Sequence, residues 1–138
     1  MSVILNPYLS FNNTARAAME LYQSIFGGEL AISTFGDMGM AENPADTDRV
    51  MHAMLTGDNG LVLMASDNAT EAELISGTDF SISLSGDDDA LLRGYWAKLT
   101  ASGDVVVPLE TAPWGDSFGM CKDAFGITWM VNITAAGA

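Results

Sequence analysis

The chain is poor in the residues that usually announce chemistry. It has one cysteine, Cys121, one histidine, His52, and five lysine and arginine residues in 138 positions. A single cysteine excludes an internal disulfide and a thiolate metal cluster. Four prolines with fourteen glycines fall short of a low-complexity or collagen-like chain, and 49% hydrophobic residues exclude disorder. No run approaches the roughly 18 apolar residues of a membrane span; Ile127 to Ile133 is strand-sized and interrupted by Thr128 and Asn132. The opening Met-Ser-Val-Ile-Leu-Asn-Pro has neither a basic n-region nor an apolar h-region, so the expected location is cytoplasmic and no membrane partner is expected.

Eighteen acidic residues against five basic ones leave a net charge of −13. No basic stripe can form, so nucleic-acid binding is not expected. The same field opposes anionic substrates unless Arg16, Arg49, Arg93, Lys98 or Lys122 gathers at a pocket, and it favours neutral or cationic ligands.

The chain repeats itself. Ala15, Ala18, Met19, Tyr22, Ile25 and Phe26 share one helical face, with Asn13 or Thr14 as N-cap and Gly27-Gly28 as the stop. Leu91, Leu92, Tyr95, Trp96 and Leu99 form a second such face, with Asp87, Asp88 and Asp89 at its N-terminus and Gly103 at its end. Gly28 and Gly103 are offset by 75 positions. Farther along the offset is 66, matching Met54 with Met120, Gly60 with Gly126, Leu63 with Trp129, and Met64 with Met130. The extra residues of the first half fit the turn-rich stretch Gly36 to Arg49. Strands are predicted at Val3 to Phe11, Glu29 to Phe35, Val50 to Thr56 and Leu61 to Ser66. In the second half they are predicted at Asp79 to Ser85, Val105 to Glu110, Ser117 to Lys122 and Ile127 to Ile133. The turns Gly57-Asp58-Asn59-Gly60 and Asp123-Ala124-Phe125-Gly126 separate the last two strands of each half. The prediction is one α+β domain, residues 1–138, of two βαβββ modules at about 1–75 and 76–138.

Several segments resemble a known family in order along nearly the whole chain. They are Leu5-Asn6-Pro7-Tyr8-Leu9-Ser10-Phe11, Ala17-Ala18-Met19-Glu20-Leu21-Tyr22, Phe26-Gly27-Gly28, Met51-His52-Ala53, Trp114-Gly115-Asp116-Ser117-Phe118-Gly119, and Asp123 to Asn132. The chain looks like the PhnB-like branch of the vicinal oxygen chelate superfamily, also met as 3-demethylubiquinone methyltransferase-like. That superfamily includes glyoxalases, bleomycin-resistance proteins and extradiol dioxygenases. The resemblance implies tandem modules forming an eight-stranded cup-shaped sheet, and a homodimer.

In metal-dependent members, the resemblance implies one ligand, usually His, from each module's first strand and one, usually Glu, from each last strand. The first-strand position falls at Asn6, with Tyr8 on the same face, and its second-module equivalent at Asp79 or Ser81. The last-strand positions fall at Met64 and Met130. Thioether sulfur is a soft neutral ligand that suits Cu(I) and not Mg²⁺, Mn²⁺, Ni²⁺ or Zn²⁺ in an oxygen and nitrogen site. The expectation is therefore a site without metal or other cofactor.

His52 lies mid-strand, and alternation puts it on the face of Val50 and Met54. It is either a general base or hydrogen-bonding group in a pocket, or a histidine satisfied at a sheet edge or dimer contact. Asn6 and Tyr8 could orient a substrate oxygen, Trp114 could cover a pocket, and the methionines could line a cup that adapts to an apolar ligand. Cys121 has no base nearby in sequence and reads as a small hydrophobe. No phosphate-binding loop, dinucleotide fingerprint, nucleophile elbow or His-Glu-x-x-His motif occurs, and Phe11-Asn12-Asn13-Thr14 is no nucleotide loop for a methyltransferase.

Three functions follow. The first is binding of a small neutral or cationic organic molecule in a metal-free cup, with Asn6, Tyr8, Met64, Asp79, Trp114 and Met130 as contacts. The second is an enzyme, either metal-dependent through shifted ligands such as His52 and Asp79 or using His52 as base. The third is a dimeric interaction protein without ligand.

Overall fold

The computed structural model describes residues 3–41, 44–67 and 80–135. Contacts within the chain divide it into two compact units, residues 1–75 and 76–138, each taken by itself below.

In the first unit, β1 (Tyr8–Phe11), α1 (Ala15–Phe26), β2 (Glu29–Thr34), β3 (Val50–Thr56) and β4 (Val62–Asp67) follow in order. In the second come β5 (Ile82–Gly86), α2 (Asp89–Ala101), β6 (Asp104–Thr111), β7 (Ser117–Lys122) and β8 (Thr128–Ile133). The strands form two mixed four-stranded sheets, β1-β4-β3-β2 and β5-β8-β7-β6, each with a parallel first pair and antiparallel remainder. This is the predicted α+β tandem βαβββ architecture.

Each helix packs on one face of its sheet. Helix α1 buries Ala15, Ala18, Met19, Tyr22, Ile25 and Phe26 against a sheet face made by Leu9, Phe11, Ala53, Leu55, Leu63 and Ala65. Helix α2 buries Leu92, Tyr95 and Leu99 above Trp129, Val131 and Cys121. Strict alternation in β4, β7 and β8 leaves the other residues on an open face away from the helix.

The internal repeat has a structural cause. Gly28 follows α1 and Gly103 follows α2, and a Cβ on either would collide with a strand-end carbonyl, that of Thr56 in β3 and of Lys122 in β7. Thr56 and Lys122 are repeat equivalents, so both stop glycines let the helix end sit against the same point of the sheet. The hairpin turns match as well: Gly57 N–H donates to Leu61 O at 2.8 Å, and Asp123 N–H to Ile127 O at 2.9 Å.

Four expectations are corrected. Strand β1 begins at Tyr8, not Val3, because Pro7 has no N–H to give a ladder; Val3 and Leu5 stand 98% and 100% exposed. Strand β5 begins at Ile82, and Asp79 lies outside the described residues. Strand β6 runs farther than predicted, with irregular register on both sides of Val107, next to Pro108. Finally, α1 is not capped by a side chain of Asn13 or Thr14. The cap comes from across the fold: Asp67 at the end of β4, 5% exposed, accepts Ala15 N–H on Oδ1 at 3.0 Å. Its Oδ2 accepts Val50 N–H at 2.9 Å. Helix α2, in contrast, is capped locally, with Asp88 accepting Leu91 N–H at 3.1 Å.

Asp67 thus joins the starts of α1 and β3 to the end of β4. Replacing it with alanine strands two buried N–H donors, each costing on the order of 1–3 kcal/mol. Urea denaturation of Asp67→Ala should show a loss of about 3 kcal/mol. A loss under about 0.5 kcal/mol, the range of ordinary surface changes, would mean that the clamp is dispensable.

Candidate functional site

The chemistry-bearing side chains of the first unit collect on the open face of its sheet. Register fixes the rows. Tyr8 pairs with Met64, Met64 with Met54, and Met54 with Ala31, so one row runs across all four strands. Beside it, Ser10 pairs with Ser66 and Ser33 with His52.

His52 is brought to this face by an irregularity. Between Ser33 and Thr34 the ladder skips Met51, so that Ser33 faces His52 and Thr34 faces Val50. Such a bulge reverses the alternation of a strand. Val50 is therefore buried at 1% exposure with the helix-facing residues, while His52 shares the open face with Met54. The expectation that Val50 and His52 lie on one face fails for this reason, and Met54 is the correct neighbour. Asp67, which holds the Val50 N–H, anchors the strand next to the bulge.

The structure brings Tyr8 and His52 together across β4. The Tyr8 hydroxyl lies 3.4 Å from His52 Nδ1, and the two rings stack with centroids 5.9 Å apart and planes 29° apart. Tyr8 is half exposed, so the pair is open to solvent. The same face carries Met54 and Met64, both half-buried. Asn6 precedes the strand, with Nδ2 donating to Pro7 O at 3.4 Å.

The open face of the second unit repeats this grid with different chemistry. Ser83 pairs with Met130, Met130 with Met120, and Met120 with Val107. In the next row Ser85, Asn132, Phe118 and Glu110 pair in turn. Ser83 thus stands where Tyr8 stands, and Phe118 where His52 stands. The offset of 75 that relates Tyr8 to Ser83 relates Asn6 to Ser81; Asp79, the other candidate, lies outside the described residues. The Ser81 hydroxyl donates to Met130 Sδ at 2.9 Å. Trp114 stands 69% exposed on the turn closed by Gly115 N–H to Ala112 O.

Of the positions at which the resemblance implies metal ligands, Asn6 holds an amide, Ser81 a hydroxyl and Met64 and Met130 thioethers, while Asp79, the alternative to Ser81, lies outside the described residues. Among the described residues no three of His, Cys, Asp and Glu converge as a metal would require. The described donors, an amide, a hydroxyl and thioethers, are a poor match for a hard divalent ion. Asp123 serves the structure of the second unit, accepting Phe125 N–H, Ile127 N–H and Trp129 Nε1–H at 2.8 to 3.1 Å.

Sequence reasoning named Tyr8, His52 and Met64 separately but missed that they converge, and it missed Asp67. The signal for Asp67 was present: in Leu63-Met64-Ala65-Ser66-Asp67 it occupies the core phase of an alternating strand, where a charge requires buried donors.

Cys121 is fully buried, and desolvation, with the Asp123 charge adding to it, pushes its thiol from the ordinary 9.0 to about 11. A thiol with a raised value favours the neutral form in the folded state, so its contribution to stability is complete below pH 9 and is lost as pH climbs toward 11. Cys121→Ala should flatten the decline of the melting temperature between pH 9 and 11, and native protein at pH 8 should resist iodoacetamide until urea is added. Rapid alkylation of the native protein would contradict this burial.

Comparison with known proteins agrees with the architecture. Residues 4–131 match the Glyoxalase/Bleomycin resistance protein/Dioxygenase superfamily. The crystal structure of protein PA1353 from Pseudomonas aeruginosa is 39% identical, with a TM-score of 0.83 over 97% of this chain and 99% of that one. Protein YjdN of Escherichia coli (strain K12) is 28% identical over 94% of each chain. The PhnB protein from Bacillus cereus, 23% identical, shares the fold with a TM-score of 0.76 over 96% of this chain and all of that one. With the repeated βαβββ grid and this match across nearly its full length, the chain belongs to the glyoxalase/bleomycin resistance/dioxygenase superfamily.

Proposed function

We propose that the protein binds a small neutral or cationic organic molecule on the open face of its first sheet, without a divalent metal. The observation that carries this reading is the Tyr8 and His52 pair, hydroxyl and Nδ1 3.4 Å apart, on the same sheet face as Met54 and Met64. Two stacked rings give a flat aromatic wall, the phenol and imidazole give hydrogen-bonding groups, and the thioethers give an apolar floor that adapts to irregular shapes. A net charge of −13 disfavours anionic ligands at such a face. Asn6 lies at its margin, whereas Met130 and Trp114 belong to the second unit and enter this proposal only as secondary contacts.

The same pair supports a second reading, an enzyme that uses His52 as general base. A phenol within reach of Nδ1 holds an imidazole in one orientation and leaves Nε2 available for proton transfer. Both readings accommodate a homodimer in the cytoplasm. No helix among the described residues is long and apolar enough to cross a membrane.

A thermal-shift screen of neutral and cationic aromatic compounds, followed by calorimetry on each hit, tests the binding reading. Tyr8→Phe, which keeps the ring and removes the hydroxyl, should weaken a hit by about fivefold, the equivalent of about 1 kcal/mol for one hydrogen bond. An affinity unchanged by Tyr8→Phe and by Met64→Ala would place the ligand elsewhere. For the enzymatic reading, His52→Gln should abolish turnover of any substrate found while leaving the melting temperature within a few degrees. Undiminished turnover would remove His52 as the base.

A further inference from the structure

We propose that the open face of the first sheet holds a site for a soft monovalent metal ion, Cu(I), formed by the thioethers of Met54 and Met64 and by Nε2 of His52. The donors are neutral, and two of the three are sulfur, the combination that selects Cu(I) over Mg²⁺, Ca²⁺ or Mn²⁺. Met54 and Met64 are directly opposed in the β3 and β4 ladder. Opposed residues place their Cβ atoms about 5 Å apart, and flexible Met side chains on one face bring both sulfurs to a common ion from that separation. His52 shares their face because the bulge at Met51 turns it there.

The second observation is the partner of the imidazole. A metal-bound histidine gives its other ring N–H to a fixed acceptor, which orients the ring and sets the tautomer. Tyr8 supplies that acceptor when Nδ1 carries the proton, its hydroxyl oxygen lying 3.4 Å from Nδ1. In the tautomer with its proton on Nδ1, His52 donates to Tyr8 and leaves the Nε2 lone pair for the ion. No proton or electron is transferred on binding.

The second unit provides a built-in comparison. Met120 and Met130 are opposed in the same way, but Phe118 replaces His52 in the neighbouring row, and the Met130 sulfur accepts the Ser81 hydroxyl at 2.9 Å. The same thioether pair there lacks the nitrogen donor and has one sulfur engaged. The chain should therefore bind one equivalent of ion rather than two. This inference stands apart from the organic-ligand reading, since it uses the thioethers as donors rather than as an apolar floor.

The test is an anaerobic titration of the full chain against a chromophoric Cu(I) chelator, repeated with Ag(I) as a redox-inert probe. The expected result is one equivalent of Cu(I) withdrawn from the chelator, with Ag(I) shifting the ε-methyl NMR signals of Met54 and Met64 but not those of Met120 and Met130. Met54→Leu and Met64→Leu, near-isosteric changes that preserve the fold, should each weaken binding at least tenfold. His52→Phe, which copies the second unit, should do the same. Failure to compete with the chelator, binding unaltered in the double leucine variant, or binding that disappears in Cys121→Ala would each overturn the proposal. An organic hit found without Cu(I) would leave the ligand reading intact in any of those cases.

Discussion

The first module depends on one carboxylate. Asp67 closes β4 and gives each of its oxygens to a backbone N–H from a different element, Ala15 at the start of α1 and Val50 at the start of β3. A buried carboxylate is tolerated only where donors replace its water, and these two do so. The consequences reach the open face. With Val50 held inward, the extra residue Met51 is absorbed as a bulge, and the strand emerges with His52 on the opposite side. A packing and hydrogen-bonding constraint beneath the sheet thereby sets the chemistry above it.

The two modules show how far a repeat constrains function. Their sheets share strand order, the register of the first three strands, the hairpin bonds and the glycine that seats each helix end. The helix starts, however, are capped differently, by Asp67 from a distant strand in one and by Asp88 locally in the other. The open faces diverge further, because residues there answer to no core. Tyr8 and His52 are replaced by Ser83 and Phe118, while the opposed methionines are kept. The duplicated scaffold thus holds one grid of positions and two different surfaces.

Electrostatics and softness act together on the first of these surfaces. A net charge of −13 disfavours anions, and among the described residues no three of His, Cys, Asp and Glu converge to hold a hard cation. Besides serine hydroxyls, the face offers sulfur, an imidazole and a phenol. Those groups recognise polarisable or aromatic partners, and this common chemistry underlies both the organic-ligand and the soft-metal proposals.

The sequence by itself determined the tandem βαβββ plan. Helical spacing, stop glycines and strand alternation are local signals, and the offsets of 75 and 66 repeat them; strands β3 and β7 were legible to the residue for that reason. It also made Met64 and Met130 equivalent and named Tyr8 and His52 as candidates. Only the tertiary structure decided that these residues meet. Tyr8 and His52 are 44 positions apart and lie on strands separated by β4, and no periodicity reports a parallel pairing of β1 with β4. The bulge at Met51 was equally hidden, since simple alternation places Val50 and His52 together. A bulge is set by what anchors the backbone on either side, and here one anchor, Asp67, lies 17 residues farther along the chain.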